Sequence, residues 1–280
     1  MTVREIAEKL EAAGIESALH EALLLAEKFT GKGYAGLRAS VNDELSVDEG
    51  QSAALSAAVE KRCKRYPLQY ILGEWEFMGL PFDVNETCLI PRSDTEILCE
   101  YIIANAPENG KILDLCTGSG CIIAAVLHYR PDMTGAALEL YPETLRQAEG
   151  NFQKLELAGR IRTIAGDATV DVLEEKERYD VISANPPYVT AEEMKTLEPE
   201  LSAEPEHALT DGGDGLSVLR AIIDCYGAHL APGGFMILEH GATQSEAVLA
   251  YARSRGLDAV PLRDYGGNMR AAVIRGILNG

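Results

Sequence analysis

The sequence predicts an α/β protein with a doubly wound parallel sheet, preceded by a small helical bundle. Short apolar segments alternate with helical ones from Lys111 onward, a pattern typical of parallel sheets. Roughly the first 65 residues carry apolar positions at helical spacing instead. Apolar residues near 259–260 and 271–277 indicate that a terminal antiparallel hairpin completes the sheet.

The N-terminal helices are predicted over 2–13, 16–29 and 46–65. Gly14 and Gly31 interrupt the helical pattern between them. The third helix is expected to begin after Ser46, because Glu49 three residues later would complete a capping box.

A β-hairpin is predicted within residues 66–90, where apolar residues alternate on both sides of Gly79. These residues are Trp75, Phe77, Leu80, Phe82 and Val84. We therefore expect three parts: a helical domain over 1–70, a hairpin linker over 71–90 and an α/β domain over 91–280.

The α/β domain is predicted to begin with a helix over about 92–105, after Pro91. Its strands are expected at 112–115, 136–139, 161–165, 179–183 and 235–239. Helices are expected between them at 122–128, 142–156 and about 214–230.

The composition is that of a folded protein with an acidic surface. Of 280 residues, 46% are hydrophobic, and the net charge of −19 argues against a broad phosphate-binding surface. The one dense basic segment, Lys61, Arg62, Lys64 and Arg65, is interpreted as a solvated helix end rather than a small nucleic-acid patch. No apolar run reaches the roughly 18 residues that span a bilayer, and the N-terminus lacks the layout of a secretory signal, so a cytoplasmic protein is expected.

The six cysteines form no CxxC pair, and no histidine stands at metal-ligand spacing from them. We predict reduced, mostly buried thiols and no metal site. The cysteines are Cys63, Cys88, Cys99, Cys116, Cys121 and Cys225.

A glycine-rich loop over 114–120 follows the first predicted strand, where doubly wound sheets bind ligands. A pyrophosphate fingerprint would need a third glycine where Ile123 stands. The acidic Asp114 would disfavour a pyrophosphate but suits a sulfonium and an amino group, so the loop favours S-adenosylmethionine over a dinucleotide. A purely structural turn is the alternative. The candidate residues are Asp114, Cys116, Thr117, Gly118, Ser119 and Gly120.

Residues after the next two strands are candidates to bind the nucleoside part of the cofactor. Glu139 ends the second predicted strand, where a carboxylate can accept from both ribose hydroxyls. Asp167 follows the third strand and could accept from an adenine amino group, while Ala168 could line the adenine pocket through its backbone. A solvent-facing acid at 139 and a helix cap at 167 are the alternatives.

Asn185-Pro186-Pro187-Tyr188 follows the fourth predicted strand and indicates a rigid loop that binds an NH2 group. The Asn185 side-chain oxygen and the Pro186 carbonyl can each accept one N–H, and Tyr188 can stack on a planar group. This fits methylation of a planar amide or amine nitrogen, catalysed by positioning rather than by a strong base. The four residues are the predicted catalytic set, and Asn185 is also expected to contact the cofactor.

With both loops in place, the chain resembles the release factor glutamine N5-methyltransferases, the HemK-type family, over nearly its whole length. Further shared segments are 67–73, 90–96, 204–205 with 208–209, 238–241, and 263–266 with Arg270. The Asn-Pro-Pro-Tyr segment alone is shared with adenine-N6 methyltransferases, so the other segments make the resemblance specific.

The resemblance implies a class I S-adenosylmethionine-dependent methyltransferase domain behind a helical substrate-docking domain. It also implies methylation of the glutamine in the Gly-Gly-Gln loop of peptide chain release factors. The chain departs from the family's common residues at Cys116 (usually Gly), Glu139 (more often Asp) and Ala168 (often a large aromatic). For His240, a core position and a substrate contact are both open.

Four alternatives are retained. A glutamine of a ribosomal protein would require the same chemistry. An adenine-N6 nucleic-acid methyltransferase is disfavoured by the net charge, and no stable nucleic-acid binding is expected. A nicotinamide dehydrogenase is disfavoured because the dinucleotide fingerprint lacks its third glycine. A cofactor-binding module without catalysis is disfavoured because the Asn-Pro-Pro-Tyr segment is intact.

Overall fold

The computed structural model describes residues 1–276, which divide into two compact units. Unit 1 comprises Met1–Glu74 and Glu198–Ala203, and unit 2 comprises Trp75–Leu197 and the chain from Glu204 onward. The last residue of the predicted terminal hairpin, Ile277, lies outside the described residues, as does the rest of the chain to 280.

Within residues 1–74, unit 1 contains five α-helices around an apolar core. They are α1 (Val3–Ala12), α2 (Ala18–Thr30), α3 (Tyr34–Ala39), α4 (Glu49–Cys63) and α5 (Leu68–Leu72). Apolar side chains at helical spacing, such as Ile6 and Leu10 on α1, are fully buried. The three predicted helices are confirmed. The sequence did not predict α3 and α5, because five or six residues are too few to show a helical period.

The helix α4 begins two residues later than predicted. Asp48 is its N-cap: a carboxylate oxygen of Asp48 accepts from the Gln51 N–H at 2.8 Å, and the Gln51 side-chain oxygen accepts from the Asp48 N–H at 3.0 Å. The prediction of Ser46 as the cap was wrong, because this reciprocal capping box lies further along the chain.

The basic segment at the end of α4 is a solvated helix end only in part, because Lys61 and Lys64 are exposed and the two arginines are not. Arg62 is only 6% exposed, and its guanidinium donates to Glu21 at 2.6 Å and to Glu200 at 2.9 Å. Arg65 also donates to Glu200, at 3.0 Å. The interpretation as a solvated end therefore holds for the lysines and was wrong for the arginines, because carboxylates distant in sequence pair with Arg62 and Arg65. The same pairs place Glu198–Ala203 in unit 1, although the sequence assigned this segment to the α/β domain.

The predicted β-hairpin is confirmed as β1 (Glu74–Phe77) and β2 (Leu80–Asp83). Met78 and Gly79 join the strands, and both have positive φ angles, 52° and 73°. Two residues with positive φ form the turn whose twist matches that of paired strands.

Unit 2 continues with helices and strands in alternation. They are α6 (Glu96–Asn105), β3 (Lys111–Leu115), α7 (Cys121–Tyr129), β4 (Thr134–Glu139), α8 (Pro142–Lys154), β5 (Ile161–Ala165), β6 (Tyr179–Ala184), α9 (Glu206–Leu209), α10 (Ser217–Tyr226), β7 (Leu230–Glu239), α11 (Ser245–Ser254), β8 (Leu257–Arg263) and β9 (Met269–Gly276). Among the helices of residues 1–276, none is both long and apolar enough to cross a membrane.

The strands β3 to β9 form one seven-stranded sheet in the order β5-β4-β3-β6-β7-β9-β8. Pairing is parallel up to β7, and β9 runs antiparallel to both β7 and β8. The predicted doubly wound sheet with its terminal hairpin is confirmed. The strand order reverses between β3 and β6, and this switch point is where such sheets bind ligands.

Both faces of the sheet are buried, because successive residues of the central strands enter different cores. Ile112 and Val181 belong to one apolar cluster, whereas their neighbours Leu113 and Ile182 belong to the other. Burial on both faces explains why the predicted strands are nearly continuous apolar runs.

Candidate active site

A cavity of about 320 Å³ opens at the carboxyl ends of the central strands of unit 2. Nine of the thirteen predicted site residues line it: Cys116, Thr117, Gly118, Ser119, Glu139, Asp167, Ala168, Asn185 and Pro187. The other four, Asp114, Gly120, Pro186 and Tyr188, are not on the described wall. The structure thus brings the glycine-rich loop over 114–120 and the Asn-Pro-Pro-Tyr loop to one cavity.

The glycine loop between β3 and α7 turns through three residues with positive φ. These are Cys116 (52°), Gly118 (57°) and Gly120 (79°). A side chain at such a φ costs roughly 1 kcal/mol or more, which explains why glycine suits position 116 and marks Cys116 as the strained residue of the loop. Gly118 has open space where a Cβ would stand, with its nearest neighbour 4.0 Å away.

Asp114 lies beneath this loop. Its carboxylate is fully buried and accepts from the Thr117 hydroxyl at 2.5 Å and from the Ser183 hydroxyl at 2.7 Å. Burial raises the pKa of Asp114 to about 6, against the effect of these two hydrogen bonds. Asp114 therefore links β3, the loop and β6, and it supports the cavity from behind.

Glu139, at the end of β4, carries its carboxylate on the cavity wall and is 7% exposed. One oxygen accepts from the Gly118 N–H at 3.0 Å, and the other accepts from the N–H groups of Leu140 and Tyr141 at 3.0 and 3.1 Å. These bonds fix the carboxylate against the glycine loop. The solvent-facing alternative for Glu139 does not hold, because its side chain is buried in the site.

Asp167 and Ala168 follow β5 and lie on the same wall. A carboxylate oxygen of Asp167 accepts from the Thr169 N–H at 2.8 Å and from the Thr169 hydroxyl at 2.7 Å, which closes a tight turn. No helix begins in residues 167–178, so Asp167 caps a turn and not a helix. Ala168 is 4% exposed and packs into the second apolar cluster.

The Asn-Pro-Pro-Tyr loop leaves the end of β6. The Asn185 amide NH2 donates to the Thr95 hydroxyl oxygen at 3.3 Å, and the Tyr188 hydroxyl donates to Glu239 at 3.0 Å. Pro186 is buried. Burial raises the pKa of Tyr188, with Glu239 adding to the effect. Tyr188 therefore anchors the loop from behind. It is not on the described cavity wall, where stacking on a substrate would require it to be.

A second wall, which the sequence did not predict, is formed by residues 87–92 and by α9. A carboxylate oxygen of the buried Glu204 accepts from the Ile90 N–H at 3.0 Å, and Glu204 also pairs with Arg92. His207 stacks on Tyr141 with 3.7 Å between ring centroids, and both rings line the cavity. Burial lowers the pKa of His207, although the nearby Glu139 opposes this. The resemblance to the family included residues 90–96, 204–205 and 208–209 but implied no role for them.

A second omission is Asn151 on α8, which is fully buried. Its amide nitrogen donates to the Ser119 carbonyl at 2.9 Å and to the Asp83 carbonyl at 3.1 Å. Asn151 thereby supports the glycine loop from outside the cavity. The sequence offered one indication of this role: a polar side chain on the apolar face of an amphipathic helix.

The cysteines are free thiols, and three of them, Cys88, Cys116 and Cys121, line the cavity. Burial raises the pKa of Cys88 to about 11 and that of Cys121 to about 12, so both stay protonated and unreactive at neutral pH. Within residues 1–276, no cluster of three or more His, Cys, Asp or Glu side chains is arranged to hold a metal ion.

His240 directly follows β7 and is fully buried. Its Nδ1 lies 2.9 Å from the Gly241 carbonyl, and burial lowers the pKa of the imidazole. His240 is not on the described cavity wall, which favours the core position over a substrate contact.

The lining residues fit S-adenosylmethionine in their chemistry. Glu139 places a carboxylate on the wall for hydroxyl groups, and Gly118 leaves the backbone open to close approach. Asp167 and Ala168 stand on the same wall. The helix α7 begins directly after the loop, at Cys121.

Comparison with known proteins agrees with this fold. Residues 2–73 match a family model described as the PrmC N-terminal domain, and residues 93–232 match one described as the methyltransferase small domain. Two relatives carry the name release factor glutamine methyltransferase. The one from Geobacter sulfurreducens is 35% identical over 92% of this chain and 89% of its own length, and the one from Cereibacter sphaeroides is 38% identical over 98% and 96%. Among solved structures, a methyltransferase from Pyrococcus furiosus has a TM-score of 0.54 at 15% identity, over 82% of this chain and 100% of its own, which supports the fold.

Proposed function

Because the chain belongs to the release factor glutamine methyltransferase family, we propose that it methylates the glutamine of the Gly-Gly-Gln loop of peptide chain release factors. The methyl group is transferred from S-adenosylmethionine to the side-chain amide nitrogen, N5. The observation that carries this proposal is the placement of Asn185 and Glu139 on one cavity wall, together with the glycine loop.

Different residues of the chain would bind different parts of the cofactor. Glu139 would hold the ribose hydroxyls, Asp167 and Ala168 would face the adenine, and the loop over 116–120 would approach the methionine part through its backbone. Asn185 would contact both cofactor and substrate. S-adenosylmethionine supplies a methyl group that is already activated by positively charged sulfur.

The substrate amide needs orientation more than it needs a base. The Asn185 side-chain oxygen and the Pro186 carbonyl would each accept one N–H, which turns the nitrogen lone pair toward the incoming methyl group. In the overall reaction one N–H is replaced by N–CH3 and one proton is released to water. Removing that proton needs no strong base, because the nitrogen becomes acidic once it carries the methyl group.

The partner is proposed to be a protein and not a nucleic acid. The net charge of −19 opposes stable binding to a polyanion. We assign the docking of the release factor to the helical domain over 1–70, which lies almost entirely within the match of residues 2–73 to a separate family model. A cytoplasmic location accompanies a substrate that acts in translation.

The test is a methyl-transfer assay with labelled S-adenosylmethionine, the purified protein and an unmodified release factor. The matched control is the same release factor with the Gly-Gly-Gln glutamine changed to alanine. We expect label on the unmodified factor and none on the control.

Two other outcomes would redirect the proposal. Equal label on both factors would place the reaction at another residue. Label on neither would overturn the release-factor substrate, and ribosomal proteins, duplex DNA and structured RNA would then be tried as acceptors, with the salt dependence of binding measured for the nucleic acids.

A further inference from the structure

Both ends of the Asn-Pro-Pro-Tyr loop are tied to one buried carboxylate, that of Glu239 at the end of β7. The Tyr188 hydroxyl donates to one Glu239 oxygen at 3.0 Å, and the Thr95 hydroxyl donates to the other at 2.7 Å. Thr95 in turn accepts from the Asn185 amide NH2 at 3.3 Å. Glu239 is 1% exposed and Thr95 is 2% exposed, so water does not compete for these bonds.

The number of available protons fixes the direction of this chain of hydrogen bonds. An ionised carboxylate can only accept, and a threonine hydroxyl has one proton to give. Because the Thr95 proton goes to Glu239, the Thr95 oxygen is left as an acceptor. Asn185 must then turn its NH2 group toward Thr95, and its side-chain oxygen is the atom that stays free.

Thr95 does not use its hydroxyl to cap a helix. It ends a short 3-10 turn, Ser93–Thr95, and has helical φ and ψ angles of −74° and −20°, so this turn leads directly into α6 without a side-chain cap. The hydroxyl is committed instead to Glu239 and Asn185.

The turn that carries Thr95 is itself held by an ion pair. Arg270 on β9 lies 2.9 Å from Asp94, the residue next to Thr95, and 3.1 Å from Asp264. Arg270 also lies near Tyr188 and Glu239, where its charge favours the ionised form of each. Two strands and one turn therefore converge on the same arrangement.

We propose that Glu239 and Thr95 are positioning residues, which hold the Asn185 side-chain oxygen ready to accept the N–H of the substrate amide. This inference rests on the proposed function. It assigns a role to residues in two of the segments that carry the family resemblance, 90–96 and 238–241.

The test is Thr95→Val, which keeps the shape of the side chain and removes the hydroxyl. With a release factor as substrate, kcat should fall by about tenfold to a hundredfold, because the amide of Asn185 is no longer held in one orientation. The dissociation constant of S-adenosylmethionine should change little. The melting temperature should fall by several degrees, because the buried Glu239 carboxylate loses a hydrogen bond. Thr95→Ser restores the hydroxyl and should recover most of the lost kcat.

Tyr188→Phe is the matched control, because it removes the other hydrogen bond to Glu239 and leaves the branch to Asn185 intact. We expect a smaller loss of kcat from this variant than from Thr95→Val. If Thr95→Val proves unstable, the same comparison is made with Glu239→Gln, which retains volume but brings a donor into the network.

The outcomes separate the two proposals. A wild-type protein that labels the release factor while Thr95→Val keeps kcat within threefold would overturn the positioning role and leave the proposed function intact. Equal losses in Thr95→Val and Thr95→Ser would also overturn it, since a packing defect would then be the cause. A wild-type protein that leaves the release factor unlabelled overturns the proposed function, and this inference with it.

Discussion

Gly120 lies against the ring of Phe152, so closely that a Cβ atom on Gly120 would come within 2.4 Å of a ring carbon. Phe152 belongs to α8 and is 1% exposed, so the ring has little room to retreat. The last glycine of the cofactor loop is therefore fixed by packing between α7 and α8 as well as by its φ of 79°. Packing and backbone conformation therefore require a glycine at position 120, whether or not a ligand is bound.

Gly120→Ala should destabilise the protein by about 2–4 kcal/mol, through overpacking added to the cost of a left-handed alanine. Gly118→Ala is the matched control: it has a similar φ of 57° but open space around it, and should cost only about 1 kcal/mol. Denaturant unfolding of both variants measures the difference. Adding Phe152→Leu to Gly120→Ala should recover part of the loss, and equal stability of the two single variants would show that the ring is not the obstacle.

Asn185→Ala should lower turnover by about a hundredfold or more, because it removes an acceptor for the substrate amide. The affinity for S-adenosylmethionine should stay within a few-fold of the wild type, since other residues line most of the cofactor wall. Labelled methyl transfer and calorimetric titration of the cofactor measure the two effects. Turnover within a few-fold of the wild type would contradict the substrate role of Asn185.

Glu139→Ala should show the reverse pattern and weaken the binding of S-adenosylmethionine. Hydrogen bonds to a charged group contribute about 1.5–3 kcal/mol, which corresponds to about tenfold to a hundredfold in the dissociation constant. Glu139→Gln keeps one acceptor oxygen and should lose less. Calorimetry is the measurement, with a melting curve as control because Glu139 also holds the Gly118 N–H. An unchanged dissociation constant would rule out the ribose contact.

The activity should rise with pH as Glu239 ionises. Burial raises the pKa of Glu239 to about 7, against the hydrogen bonds from Thr95 and Tyr188. A neutral Glu239 could donate to Thr95 and reverse the bonds that orient Asn185, so kcat should increase between about pH 6 and about pH 8. Glu239→Gln should have a lower kcat without this rise. The titratable or charged groups that face Glu239 are Tyr188, Arg270, Asp94, Cys99 and Cys121.

The Glu239 carboxyl should make the free energy of unfolding fall as the pH rises, opposite to its effect on activity. Because the folded-state pKa of Glu239 is raised from 4.5 to about 7, its stabilising contribution is fully present below pH 4.5 and is lost as the pH rises toward 7. The change amounts to about 3 kcal/mol. Unfolding free energies of the wild type and Glu239→Gln, compared across this range, should converge or cross as the pH rises. Parallel curves would show that the carboxyl is ionised throughout.

Much of the fold followed from the sequence, because strands buried on both faces are short apolar runs between helices. β5 and both strands of the hairpin lie within the predicted segments, and the switch point at β3 and β6 places their two loops together. The nine predicted site residues that line the cavity share this reason: each lies at the end of a strand, or in the loop after it, and the topology fixes the position of that strand in the sheet.

The residues that the sequence did not place are those brought in by distant contacts. Thr95 meets Glu239 across 144 residues of sequence, and Asn151 meets Ser119 from a helix that seemed only to cover the sheet. The Ser46 cap failed for a local reason, because a better capping box lay two residues further on. Periodicity reports which face is buried, but not which polar groups meet there.

The direction of the hydrogen bonds that end at Glu239 has a consequence for substrate selection. With the Asn185 NH2 committed to Thr95, the loop offers the incoming side chain only acceptors, the Asn185 oxygen and the Pro186 carbonyl. Glutamine satisfies them with its two N–H groups, whereas glutamate brings only lone pairs and a negative charge. A release factor whose glutamine has deamidated should therefore be refused at the binding step and not merely left unmodified.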